Sequence, residues 1–195
     1  PKKGDSTLHA LPIAAPGETR TLATMRDGVG DVAFSPDGKW VAFISRTPHE
    51  RYDAPGADEG DESWQAPRKI ERFFTTLNGE GWVYDRPAHV YVVAADGTGK
   101  PRNLTPGEFQ HSGISWLTDS TGLVTAAQRH DNWDLDFATD LYLVPLDGDL
   151  TALAALTATT GNYVAPSAGP DGNTIAFLGF DDAGTYPQNV RVGLV

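Results

Sequence analysis

Residues 79–87, GEGWVYDRP, place two carboxylates and a guanidinium among aromatic side chains. Glu80 or Asp85 could meet the free amine of a peptide, and Arg86 could take a carboxylate through a bidentate pair. Asp85 and Arg86 could instead pair with each other or order the segment around them. Trp64, Phe73, Phe74, Trp82 and Tyr84 lie in or before this stretch. They could line a path for a peptide, and packing is the favoured reading because exposed aromatics are costly.

The other chemical groupings are weaker. Asp131, Asp134 and Asp136, beside His130 and Trp133, form a D-x-x-D-x-D run whose oxygens could hold Ca²⁺. The run lacks the loop glycine and closing glutamate of an EF-hand and reads as a solvated connection. His9, His49, His89, His111 and His130 include no pair at metal-ligand spacing, and His89, opening an apolar run, reads as structural. Ser35 and Ser167 sit near Asp and Gly with no identifiable histidine, and no G-x-S-x-G elbow occurs. The expectation is therefore no catalytic residue, no metal and no cofactor in this chain. The absence of cysteine excludes thiolate catalysis, disulfides and Cys-type zinc, and suits either redox compartment.

These residues hang on a repeated scaffold. Residues 31–46, DVAFSPDGKWVAFISR, read as a strand, a tight Ser-Pro-Asp-Gly turn and a second strand. Trp40, Ala42 and Ile44 fall on one face of the second strand, with Val41 and Phe43 on the other, as in a strand covered on both sides. Variants recur at 112–129 and 165–180. Further strands are expected at 6–14, 19–24, 89–94, 102–105, 140–145, 151–157 and 189–195, with Asn78-Gly79 as a turn. Residues 68–77 could be a strand or a short helical turn. The acidic, Pro- and Gly-containing stretch 47–67 reads as a long loop.

Aligned third strands are spaced by about fifty residues, the size of a four-stranded propeller blade. The expected class is all-β, a partial β-propeller of about three to four four-stranded antiparallel blades. The chain divides into a partial blade at 1–28, a blade at 29–107 with an insertion at 47–87, a blade at 108–161 and an incomplete blade at 162–195. A closed propeller needs roughly four to eight blades. The chain therefore reads as a fragment of a ring, or as one that self-associates through its exposed blade edges.

A net charge of −11 argues against a phosphate-binding surface, so no nucleic-acid partner is expected. No apolar run approaches membrane-spanning length and the first residues lack a secretory h-region, so no membrane partner is expected. A cytoplasmic location is the expectation.

The S-P-D-G-K-W-V-A-F run at 35–43, the D-L-Y-L-V strand at 140–144 and the L-T unit endings resemble the propellers of the TolB and prolyl oligopeptidase group. The aromatic pair Phe73-Phe74 followed by GEGWVYDRPAHVYVV at 79–93 resembles acylaminoacyl-peptidase-like members. The resemblance covers essentially the whole chain. It implies the non-catalytic propeller portion of a serine peptidase, which gates peptide access to an α/β-hydrolase domain not contained here. Glu80, Trp82, Asp85 and Arg86 are then the candidate substrate-gating residues, and peptides are the substrates met through that domain. The alternative implied by the same repeats is a TolB-like propeller acting as a protein-interaction module.

Overall fold

The computed structural model describes residues 5–14, 16–48, 69–158, 160–185 and 187–195. His49, Trp64 and nearly all of the acidic stretch expected as a long loop lie outside the described residues.

Among the described residues the chain forms strands β1 (Ser6–Ala10), β2 (Arg20–Met25), β3 (Gly30–Phe34), β4 (Trp40–Arg46), β5 (Thr76–Leu77), β6 (Gly81–Trp82), β7 (Ala88–Ala94), β8 (Arg102–Asn103), β9 (His111–Trp116), β10 (Gly122–Ala127), β11 (Asp140–Pro145), β12 (Ala154–Ala155), β13 (Asn162–Ala168), β14 (Ile175–Phe180) and β15 (Arg191–Leu194). A hairpin β1-β2 is followed by two four-stranded antiparallel sheets, β3-β4-β7-β8 and β9-β10-β11-β12, and by a three-stranded sheet β13-β14-β15. The short hairpin β5-β6 stands apart within the insertion between β4 and β7.

The sheets stack face to face, and β4 shows why. Its Val41 and Phe43 pack with Leu22 and Ala23 of the preceding hairpin and with Tyr91 and Val93 of β7. Its Ala42 packs the other way, with Val90, Val92, Leu104 and, from the next sheet, Trp116, Leu123 and Val144. A third cluster joins Val124, Ala126 and Leu141 to Tyr163 and Ile175 of the last sheet. A strand apolar on both faces is stable only between two sheets, each fully buried Val or Phe contributing roughly 1.5–3 kcal/mol.

The innermost strands share a local distortion. Asp31 (φ 49°), Gly113 (φ 64°) and Ala165 (φ 51°) each stand six residues before the aspartate of the following turn, and pairing slips at each of them. These bulges re-aim the strand starts toward one another. Asp31 Oδ2 accepts the Gly113 N–H at 3.1 Å. A Cβ on Gly113 would lie 3.2 Å from Pro166 Cδ of the next inner strand, so the close approach there suits glycine.

The turns after these strands are built alike. Asp37, Asp119 and Asp171 accept backbone N–H groups two residues on, at 3.0, 3.0 and 3.2 Å. The fold is an all-β partial propeller: two four-stranded blades flanked by a two-stranded and a three-stranded piece.

Several strand extents differ from expectation. The first ends at Ala10 rather than continuing to 14, and the outermost strands, expected at 102–105 and 151–157, pair only over Arg102–Asn103 and Ala154–Ala155. Each of these is an edge strand with one neighbour, so its length follows that neighbour's curvature rather than its own residues. Residues 69–77 are mostly irregular and end in the two-residue strand β5.

Candidate functional site

The start of each inner strand and the end of each second strand meet at one end of the stack. There β4 delivers Ser45 and Arg46, β9 delivers His111 and Ser112, and β10 leads into Gln128. The insertion reaches the same end. Its hairpin β5-β6 pairs Thr76 with Trp82 and Leu77 with Gly81 around Asn78-Gly79, with Gly79 at φ 85°. Between the insertion and the blades lies a cavity of about 540 Å³, whose wall includes Asp27, Ile44, Arg46, Phe74, Leu77, Glu80, Gln110 and His111.

Arg46 ties these parts together. Its Nε donates to Glu80 Oε2 at 2.5 Å, and one Nη donates to the Arg86 carbonyl at 2.8 Å and to Gln110 Oε1 at 3.0 Å. The Arg46 side chain is 10% exposed and that of Glu80 51%. The hydrogen bond from Arg46 holds the Glu80 carboxyl below the usual carboxylate range. Arg86 is committed within the insertion: it donates to the Trp82 carbonyl at 2.7 and 3.0 Å and pairs with Asp27 Oδ1 at 2.5 Å. Asp27 belongs to the turn before β3, so this pair fastens the insertion to the blade.

The four gating candidates are thus divided by the structure. Glu80 is in the cavity wall. Trp82, Asp85 and Arg86 are not among its lining residues; Asp85 is buried, and Trp82 lies 5.8 Å from the Tyr84 ring. Of the aromatics, Phe74 and Phe109 both pack edge-on against Trp133, while Phe73 is exposed.

Behind the cavity the sheets carry buried imidazoles. His89 Nε2 donates to the Gly107 carbonyl at 3.0 Å, leaving Nδ1 to accept from Thr47 Oγ1 at 2.8 Å and Asn103 Nδ2 at 2.9 Å. Burial pushes its pKa down to about 4, so it is neutral at pH 7. His111 is likewise driven well below its ordinary value by burial, and Arg129, seated over Phe109 and Tyr142, donates to its Nε2 at 3.3 Å.

The acidic run after β10 does not converge on an ion site. Asp136 takes His130 Nε2 at 3.1 Å and the Ala138 N–H at 2.8 Å, while Asp134 accepts the Phe73 N–H. Among the described residues no group of three or more His, Asp or Glu is arranged to hold a metal. Ser35 Oγ donates to Asp37 Oδ1 at 2.6 Å and accepts the Trp40 N–H at 3.0 Å, both bonds within its own turn.

Arg46, Asp27 and Gln110 belong to no motif in the sequence, where Arg46 only ends the stretch 31–46, and His111 stands there as one of five histidines with no partner at ligand spacing. Only the charge in an otherwise apolar strand end could have flagged Arg46.

No family model matches the chain, and no curated protein matches it in sequence. Solved structures do match in shape. An acylaminoacyl peptidase from Pyrococcus horikoshii is similar over 91% of this chain and 25% of its own length, with a TM-score of 0.62 at 12% identity. TolB from Acinetobacter baumannii is similar over 91% and 32%, with a TM-score of 0.52 at 13% identity. A puromycin-hydrolyzing peptidase from Mycobacterium tuberculosis is similar over 90% and 22%, with a TM-score of 0.53 at 18% identity. The chain thus spans between a fifth and a third of the length of these proteins. In fold, the chain is a partial β-propeller of the kind found in TolB and in peptidases of the prolyl oligopeptidase type.

Proposed function

We propose that this chain is the non-catalytic propeller portion of a prolyl-oligopeptidase-type serine peptidase, controlling which peptides reach an α/β-hydrolase domain. The observation that carries the reading is the pinned insertion. A blade that only completed a ring would not need a hairpin fastened by Arg46–Glu80 and Asp27–Arg86 over a cavity of peptide-accommodating size. The fold shared with an acylaminoacyl peptidase supports it. The residues divide the work. Arg46 fixes the height of the hairpin, Glu80 presents a carboxylate to an entering amine, and Arg86 with Asp85 and Trp82 supports the hairpin from outside the cavity.

A second reading is a TolB-like propeller that binds a protein partner. The exposed Phe73, Leu135 and Phe137 near the same end favour it. A net charge of −11 supports a protein without a nucleic-acid partner, no helix among the described residues is long and apolar enough to cross a membrane, and a cytoplasmic location is part of the first proposal.

The test begins with the full-length polypeptide that contains this chain. A fluorophosphonate probe is expected to label it on a serine within a G-x-S-x-G elbow. Absence of both the elbow and the label overturns the peptidase reading.

A further inference from the structure

Arg46, Arg72, Arg86 and Arg102 each pair with a carboxylate. Arg129 pairs with none among the described residues, although it is half-buried. It stands two residues past β10, its guanidinium carbon 5.0 Å from the centre of the Phe109 ring and 5.8 Å from that of Tyr142. One Nη donates to His111 Nε2 at 3.3 Å. The carboxylates flanking these neighbours are committed elsewhere: Glu108 accepts from Arg72 at 2.7 Å, and Asp140 accepts from Thr157 Oγ1 at 2.6 Å. A guanidinium partly removed from water costs free energy unless an anion answers it, and facing aromatic rings offset only part of that. Burial first, and the Arg129 charge after it, keep His89 and His111 neutral.

Neutral His111 supplies an independent observation. With Nε2 accepting from Arg129, the ring proton is on Nδ1. That N–H is buried and has no acceptor, and His111 lines the cavity of about 540 Å³ between the insertion and the blades. A ligand bringing a carboxylate to Arg129 and a carbonyl oxygen to the His111 N–H would answer both.

We propose that Arg129 anchors a carboxylate carried by a bound peptide, either its C-terminus or an Asp or Glu side chain. The planar fork of a guanidinium matches a carboxylate in a bidentate pair, which a lysine ammonium cannot form. A single cation in a chain of net charge −11 suits one compact anionic group and disfavours a polyanion. His111 is a positioning residue, holding the guanidinium through Nε2. The peptide as ligand rests on the peptidase reading; the carboxylate contact rests on Arg129 and His111.

The test is calorimetric titration of the full-length polypeptide that contains this chain, after fluorophosphonate treatment so that no probe is cleaved. The probes are trialanine, trialanine amide and the amide of Ala-Asp-Ala. In wild type a carboxylate-bearing probe is expected to bind at least about tenfold more tightly than trialanine amide. Preference for trialanine assigns the C-terminal carboxylate, and preference for the aspartyl amide assigns the side chain. Arg129→Gln is expected to abolish the preference with binding of trialanine amide unchanged. Arg129→Lys, which keeps a cation over the rings, should retain only part of it. No preference in wild type, or a preference that survives either substitution undiminished, overturns the site. Fluorophosphonate labelling reads the peptidase proposal separately. Unlabelled protein that still prefers the carboxylate through Arg129 keeps this site, and labelled protein without the preference loses this site alone.

Discussion

Arg46 Nε meets Glu80 Oε2 at 2.5 Å across an insertion that leaves and re-enters the blade between β4 and β7. The two partners are unequal. Arg46 is nearly buried and makes two further bonds, to the Arg86 carbonyl and to Gln110, whereas Glu80 is half exposed. Arg46→Ala is therefore expected to cost about 2–3 kcal/mol, because it strands acceptors inside the structure. Glu80→Ala is expected to cost about 1 kcal/mol or less. Denaturant unfolding of both variants checks the ranking, and hydrogen exchange should rise at 76–82 in Arg46→Ala. Equal costs would contradict the picture of Arg46 as the fastening point.

Ser120 gives a second test. It occupies the left-handed turn position (φ 62°) that Gly38 and Gly172 occupy in the neighbouring turns. Its Oγ accepts the Asp37 N–H of the adjacent blade at 3.0 Å, which explains a serine where glycine would be easier. Ser120→Ala keeps the strain and loses the bond, an expected cost of about 1 kcal/mol. Ser120→Gly loses the bond but relieves the strain, so it should be the more stable of the two. A Ser120→Ala protein as stable as wild type would contradict a bonding role.

Trp116 and Phe34 share a register position but not an environment. Trp116→Ala is expected to cost about 3–5 kcal/mol, since it empties the interface between the two complete blades. Phe34→Ala in the same chain should change stability by no more than about 0.5 kcal/mol. Comparable losses at both positions would mean that Phe34 is already covered.

Acid should weaken the fold in two steps. His89 is 2% exposed and neutral, its pKa lowered from 6.5 to about 4 by burial. Between those values the unfolded chain binds the extra proton, so this contribution is complete above pH 6.5 and is lost as pH falls toward 4. The loss is on the order of 3 kcal/mol. A lower step follows from the turn aspartates. Hydrogen bonds to Ser35, Thr98, Thr121, Thr151 and Thr174 hold Asp37, Asp96, Asp119, Asp149 and Asp171 below 3.8. Their contribution is present above 3.8 and disappears as pH drops through their folded values. Urea titrations at pH 7.5 and 4.5 test the first step, and unchanged stability between them would contradict it.

The repeat was legible because it is written in local chemistry. The Ser-Pro-Asp-Gly and Pro-Asp-Gly turns, and the two-faced apolarity of Val41, Ala42 and Phe43, report burial between sheets without any long-range knowledge. β11 matches its expected bounds at Asp140–Pro145 because both its neighbours are in place. The outermost strands are shorter than their residues suggest, at Arg102–Asn103 and Ala154–Ala155, since one neighbour sets their length. The site was less legible. Glu80 and Arg86 stood out by type, but their partners Arg46 and Asp27 are 34 and 59 residues away in the sequence. Nothing in the spacing of either pair announces that they meet.

The gating proposed for the fastened insertion would show as peptide-length selectivity in the full-length protein, with kcat/KM measured on one cleavable sequence presented as a short and as a long peptide. A strong preference for the short peptide is expected in wild type, reduced by Arg46→Ala through faster cleavage of the long one with the short one unaffected. Equal selectivity in the two proteins, or a parallel loss on both substrates, would contradict it.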